Sequence, residues 1–275
     1  MPGGLAMAGD EAAAVARIAE RVRELYDGYT PPDFGRVHAP DAALFLSAID
    51  HRTGYRGAYL VGGKGPFEGS ALLWELGLLA SRRRPGLLSA DALANADEAM
   101  VARIFRVGGE TVAGARERAA LWRDLAGGLR RGYEGSTEAL LAACDGRLGG
   151  AGGLLARLAQ FEAFGDPLQK KAFLFAKLCE RRGWLEVADP EHWEVCADNV
   201  LMRLALRSGL VAGGSRDEVR AATRAAFKRV AEGAGLAPPL LDDLLWELGR
   251  DDPDLLGTEG GDVREPERDP ESAWY

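Results

Sequence analysis

Three groups of residues in this chain have types and spacings that could do chemistry. The first is Asp198, in the run CADNVLMRLALRSGL. Asp189 reads as an N-cap with Pro190 at the first helical position, and Ser208-Gly209 reads as a stop, so the sequence predicts one helix between them. On that helix the neighbours of Asp198 three and four positions away are Glu194, Val195, Leu201 and Met202. The carboxylate therefore falls on a largely apolar stripe, with His192, Asn199, Arg203 and Arg207 on the other side. A carboxylate there is costly unless something partners it. It is either structural, capping a neighbouring helix or pairing with an arginine, or it is catalytic. The second group is Lys170 and Lys177, seven apart and so on one helical face with Phe173 and Leu174 between them. They are either surface lysines or cations aimed at a site. The third is Asp242 and Trp246, four apart beside the apolar stripe of Leu240, Leu241, Leu244, Leu245 and Leu248. An acid in a first turn also suits the helix dipole with no function attached.

The composition limits what these residues could act on. Of 275 residues, 47% are hydrophobic and 28% charged, enough for a buried core, and no apolar run approaches the ~18 residues that span a bilayer. The opening MPGGLAMAGDEAAAVARIAERV has an acidic pair where a secretory signal wants basic residues, so a cytoplasmic location is expected and no membrane partner. Cys144, Cys179 and Cys196 lack the spacing of zinc or iron-sulfur ligands and read as core residues, and neither metal nor cofactor is expected. Asp and Glu total 42 against 34 Lys and Arg, a net charge of -8. That balance disfavours a partner held through nucleic-acid phosphates and favours a small molecule.

The elements that must position these residues read as all-α. Residues 10–27 form an amphipathic helix, and a Pro-punctuated connection from Tyr29 to Pro40 leads to a buried helix at 41–50. The stretch HRTGYRGAYLVGGKGPFEGS, rich in Gly and aromatics, is the only one with strand character, with a short hairpin expected near residues 53–66. Helices follow at 71–82, after Ser89, after Asn95 or Asp97, from Thr111 to Arg131, after Ser136 and at 154–163. Asp166, Pro167 and Gln169 resemble a capping box for a helix that ends at Arg181-Arg182-Gly183. A basic amphipathic helix spans 215–233, and Pro238-Pro239 opens the last one. Residues 1–255 are expected to form one helical domain, or two helical subdomains with the site between them. Residues 256–275 read as a loosely ordered acidic tail whose aromatic end docks.

The runs FGDPLQKKAFLFAKLCERRGW, CADNVLMRLALRSGL and LLDDLLWELGRDDPD, in that order, resemble the second half of the helix-hairpin-helix N-glycosylase superfamily. Within it the chain is most similar to the queuosine salvage proteins, with the archaeal 8-oxoguanine DNA glycosylases a second relative. In the salvage family a Lys-Arg-Ala helix precedes Ala-Asp-Tyr-Arg, and a Leu-Leu-Asp-x-x-Leu-Trp segment closes the site. Lys170-Lys171-Ala172, Ala197-Asp198-Asn199-Val200 and Leu240-Leu241-Asp242-Asp243-Leu244-Leu245-Trp246 stand in those places here, and Trp274-Tyr275 matches that family's aromatic end. The resemblance covers about residues 40–255.

It implies a helix-hairpin-helix fold and hydrolysis of the N-glycosidic bond of a 7-deazaguanine-type nucleoside 5′-monophosphate. Asp198 would stabilise the oxocarbenium-like sugar and orient water, with Lys170 or Lys177 keeping it charged or holding the 5′-phosphate. Asp50 would accept hydrogen bonds from the base and Phe67, Tyr55 or Trp74 would stack on it, with His51 and Arg52 as substrate contacts and Asp242 and Trp246 binding the nucleoside. Where the salvage family carries an aromatic segment this chain has Ala48–Thr53, which leaves the base undefined. The second relative implies a base-excision glycosylase and lyase with Lys170 as Schiff-base nucleophile, the one reading that needs nucleic acid. A helical binding module without chemistry is the third reading.

Overall fold

The computed structural model describes residues 11–267 and 272–274. Helices make up most of it, with two small two-stranded ladders, so the class is all-α. α1 (Glu11–Tyr26) buries Ile18, Ala19 and Val22 along one stripe. Pro40 at the first position starts α2 (Pro40–Ala48), which is buried over its whole length. The glycine-rich stretch then forms an antiparallel hairpin, β1 (Tyr59–Val61) with β2 (Lys64–Phe67), pairing Tyr59 with Phe67 and Val61 with Lys64. Gly62 and Gly63 at its turn have φ of 60° and 80°, the two positive values that a tight hairpin connection requires. α3 (Gly69–Arg83) follows.

Caps that are readable in the sequence set the next helices. The Ser89 and Asp97 side chains accept from the N–H groups of Ala92 and Met100 at the starts of α4 (Ala90–Leu93) and α5 (Glu98–Ile104). A second ladder, β3 (Arg106–Val107) with β4 (Glu110–Thr111), stands where the sequence predicts a break and the start of a helix. Gly108 and Gly109 take φ of 56° and 87° and turn the chain back on itself, so α6 (Ala115–Gly132) begins four residues later than expected from Thr111. Ser136 caps α7 (Thr137–Ala143). In place of one helix over 154–163 there are α8 (Leu154–Leu158) and a 3-10 turn, Glu162–Phe164.

α9 (Lys170–Arg181) starts later than the expected capping box. Asp166 does supply the carboxylate, accepting from the N–H groups of Leu168 and Lys170, but Gln169 sits at φ 53° as the N-cap. After a 3-10 turn at Pro190–His192 come α10 (Asn199–Arg207), α11 (Arg216–Ala234) and α12 (Pro238–Gly249). The Glu218 carboxylate closes the start of α11 by accepting from the Ser215 N–H at 3.0 Å.

These elements divide into two compact units. The first holds residues 11–32 and 193–267 with Ser272, and packs α1 against α11, and α10 against α11 and α12. Ile18, Val22, Leu201, Leu204, Phe227, Val230, Leu241 and Leu244 share its core. The stretch after α12 forms no helix but is tethered more firmly than its composition suggests. Arg207 pairs with Asp254 and Asp262 and its carbonyl accepts from Gly260, while Glu259 pairs with Arg17 at 3.1 Å. The acidic residues that made the stretch look unstructured are what tie it down.

The second unit holds Asp33–His192 with residues 273 and 274. α2 lies at its centre against α3, α6, α7 and α9, and the buried Trp122 donates its indole N–H to the Phe45 carbonyl at 2.8 Å. Among the described residues no helix is long and apolar enough to cross a membrane.

Candidate functional site

The turn that follows α2 gathers more buried charge than any other described part of the second unit. Asp50 is half-buried, and its Oδ2 accepts from Ser70 Oγ at 2.8 Å and from Trp74 Nε1 at 3.1 Å. Those two donors are four apart on α3, hence on one face, and fix the direction of the carboxylate. Arg52 has φ of 31°, a conformation that costs a non-glycine residue on the order of 1–3 kcal/mol. The surroundings hold it there. The buried guanidinium of Arg118, on α6, donates to the carbonyls of His51, Arg52 and Ala113. Burial lowers Arg118 to about 10, which leaves it charged at neutral pH. Arg52 Nη2 donates to both oxygens of Glu117 at 2.9 Å, and Ala113 N–H closes the turn on the Thr53 carbonyl at 2.8 Å.

Beneath this turn lies Lys171, the second residue of α9 and 1% exposed. Its Nζ is 2.6 Å from the Ala48 carbonyl, 2.6 Å from the Ala273 carbonyl and 2.9 Å from His51 Nδ1. The two carbonyls accept from Nζ, and the ring nitrogen is its third polar neighbour. Burial, with Lys170 and Arg118 nearby, pushes Lys171 well below the ordinary lysine range. The carboxylates of Asp50 and Glu117 oppose that push. His51 is itself 3% exposed, and Glu117 Oε1 lies 3.6 Å from its Nε2, long for a hydrogen bond. The His51 ring first, then the Arg52 and Arg118 guanidiniums, outweigh burial at Glu117 and lower it to about 2.

The other expected site residues fall as follows. Lys170, first in α9, is half-buried, and Lys177 is 5% exposed. Phe67 ends β2 and is half-buried, whereas Trp74 is buried and spends its N–H on Asp50. These residues and the Asp50–Arg52 turn belong to the second unit; Asp198, Asp242 and Trp246 belong to the first.

Asp198 requires a correction. It does not lie within a helix running from Asp189, because that helix does not form. The Asp189 carboxylate instead accepts from the N–H groups of Leu148 at 2.6 Å and Gly149 at 2.9 Å. The chain makes one 3-10 turn, then runs without helix through the buried Trp193, Val195 and Cys196. Asp198 is the N-cap of α10, with extended backbone, and its Oδ1 accepts from Val200 at 2.9 Å and Leu201 at 3.0 Å. The carboxylate is half-buried at a helix N-terminus, where dipole and amides both favour negative charge.

On α12, Asp242 is 4% exposed and accepts from the Cys196 N–H at 2.8 Å, which ties this helix to the extended run before Asp198. Trp246 is 36% exposed, with the Arg250 guanidinium 5.7 Å from its ring centre.

Sequence reasoning missed Lys171, Glu117, Arg118 and Ser70 as parts of the cluster. A signal for Lys171 was present, since Phe175 and Leu178 stand four and seven positions on and place it on an apolar stripe. No protein-family model matches the chain, and no curated protein does.

Proposed function

We propose that this protein is an N-glycosidase of the helix-hairpin-helix type. It hydrolyses the N-glycosidic bond of a modified purine-like, 7-deazaguanine-type nucleoside 5′-monophosphate and releases the free base, as in queuosine salvage. The observation that carries this reading is Asp198 at the N-cap of α10, its Oδ1 held by two backbone N–H groups. Breaking the bond builds positive charge on the sugar. A carboxylate already fixed in direction stabilises that charge with little reorganisation and can orient the attacking water. Asp50, steadied by Ser70 and Trp74, is suited to accept hydrogen bonds from the N–H edge of a guanine-like base. Because its indole N–H is engaged by Asp50, Trp74 acts by orienting that carboxylate. Lys170 and Lys177 take the phosphate, and the net charge of -8 favours a free nucleotide over nucleic acid.

The test is release of free base from a panel of nucleoside 5′-monophosphates that includes queuosine monophosphate. Wild type should release base from at least one and Asp198→Asn about a hundredfold more slowly or not at all; a wild type that releases none refutes the proposal. The half-buried position of Lys170 keeps a second reading in view, a DNA glycosylase and lyase with Lys170 as nucleophile on 8-oxoguanine. Borohydride trapping of a covalent adduct with damaged DNA, lost in Lys170→Ala, would select it over the hydrolase.

A further inference from the structure

Ala273 is distant in sequence from both α2 and α9, yet its carbonyl is one of the three polar neighbours of Lys171 Nζ. The other two, the Ala48 carbonyl and the His51 ring, belong to the turn that carries Asp50. Trp274 beside it approaches Gly165, where a Cβ would stand 3.8 Å from the indole nitrogen. If Ala273 is withdrawn, one N–H of the buried Lys171 side chain loses its acceptor, and the side chain must swing toward another or admit water. Either response pulls on Ala48 and His51, one on each side of the Ile49-Asp50 pair.

We propose that residues 273 and 274 are a working part of the Asp50 site and that Lys171 is its positioning residue. Lys171 acts through Ala48 and His51 to hold the Asp50 carboxylate against Ser70 and Trp74, and the Ala273 carbonyl completes the set that keeps Lys171 in place. This rests on the reading of Asp50 as the acceptor for the base.

Three variants test it: deletion of residues 273–275, Trp274→Ala, and Lys171→Met. The first readout is the indole N–H resonance of Trp74 in the ligand-free protein, assigned with Trp74→Phe, because that proton points at Asp50. The second is KM against kcat for base release from the nucleotide panel. All three variants should move the resonance in the same direction and raise KM about tenfold, the loss of one well-placed hydrogen bond, with a smaller change in kcat. A purely structural role would lower the folded fraction and leave the KM of the remaining molecules unchanged. If Lys171→Met does not fold, the other two variants decide. A folded deletion variant with an unmoved Trp74 resonance overturns the proposal. Should the resonance move while wild type releases no base from any nucleotide, the coupling of Ala273 to Asp50 stands and the N-glycosidase reading falls.

Discussion

Lys171 Nζ stands 2.9 Å from Nδ1 of His51, while Glu117 Oε1 lies 3.6 Å from Nε2 on the other side of the ring. An ammonium at Lys171 would need the Nδ1 lone pair, which puts the ring proton on Nε2, toward Glu117. Charging His51 would set a second proton against the ammonium. Burial, then the positive charges of Lys171 and Arg118, accordingly lower His51 to about 3.

Acid should therefore weaken the fold well before ordinary carboxylates protonate. His51 is neutral in the folded protein down to about 3, but in the unfolded chain it takes up a proton near its usual 6.5. Between those values the unfolded state binds the extra proton, so stability falls as pH falls, by about 1.4 kcal/mol per pH unit at full effect. Glu117 acts in the same sense at lower pH, its contribution being lost as pH drops from its ordinary 4.5 toward about 2. Urea unfolding from pH 7 to pH 5 should show the decline, and His51→Asn, which keeps an acceptor for Lys171, should flatten it.

Asp198 allows cap and charge to be separated. Asparagine retains an oxygen for the N–H groups of Val200 and Leu201, so Asp198→Asn should melt close to wild type, whereas Asp198→Ala should lose about 1 kcal/mol. Base release should fall on the order of a hundredfold or more in both. An active Asp198→Asn would reduce the residue to a helix cap.

Lys171→Met removes the donor from two carbonyls and a ring nitrogen in a sealed site. A loss of about 3 kcal/mol is expected, measured as a lower urea midpoint with an unchanged slope.

Asp189 gives a contrast with no link to the reaction. Asp189→Ala strips the acceptor from the Leu148 and Gly149 N–H groups and should cost about 1–2 kcal/mol, while the proposed base release should persist at temperatures where the variant is folded.

How far the sequence announced all this depends on how local each signal is. Ser89, Asp97 and Ser136 cap helices whose first turns lie within three residues, and all three were readable. Asp189-Pro190 carries the same local signature, yet its carboxylate is claimed by backbone groups some forty residues earlier, which no local pattern records. α10 is capped by Asp198, and the residue singled out for lying on the wrong face of a helix proved to be the beginning of one. Lys171 shows a different gap. The seven-residue spacing of Lys170 and Lys177 marks a shared face on which the buried Lys171 does not lie. Its partners at Ala48 and Ala273 are separated from it by more than a hundred positions, so their identity was beyond any reading of the sequence.

The first unit is built from two stretches of chain with the second unit's residues between them, and this sets a schedule for synthesis. α1 ends at Tyr26, but α11, the helix it packs against most, begins only at Arg216. At ~5–20 residues per second the interval lasts on the order of 10–40 s. During that time Ile18, Ala19 and Val22 have no native cover, while most of the second unit can already collapse behind them. The apolar stripe of α1 is thus the surface that a nascent-chain chaperone would meet first, and slowing translation should lengthen its exposure in proportion.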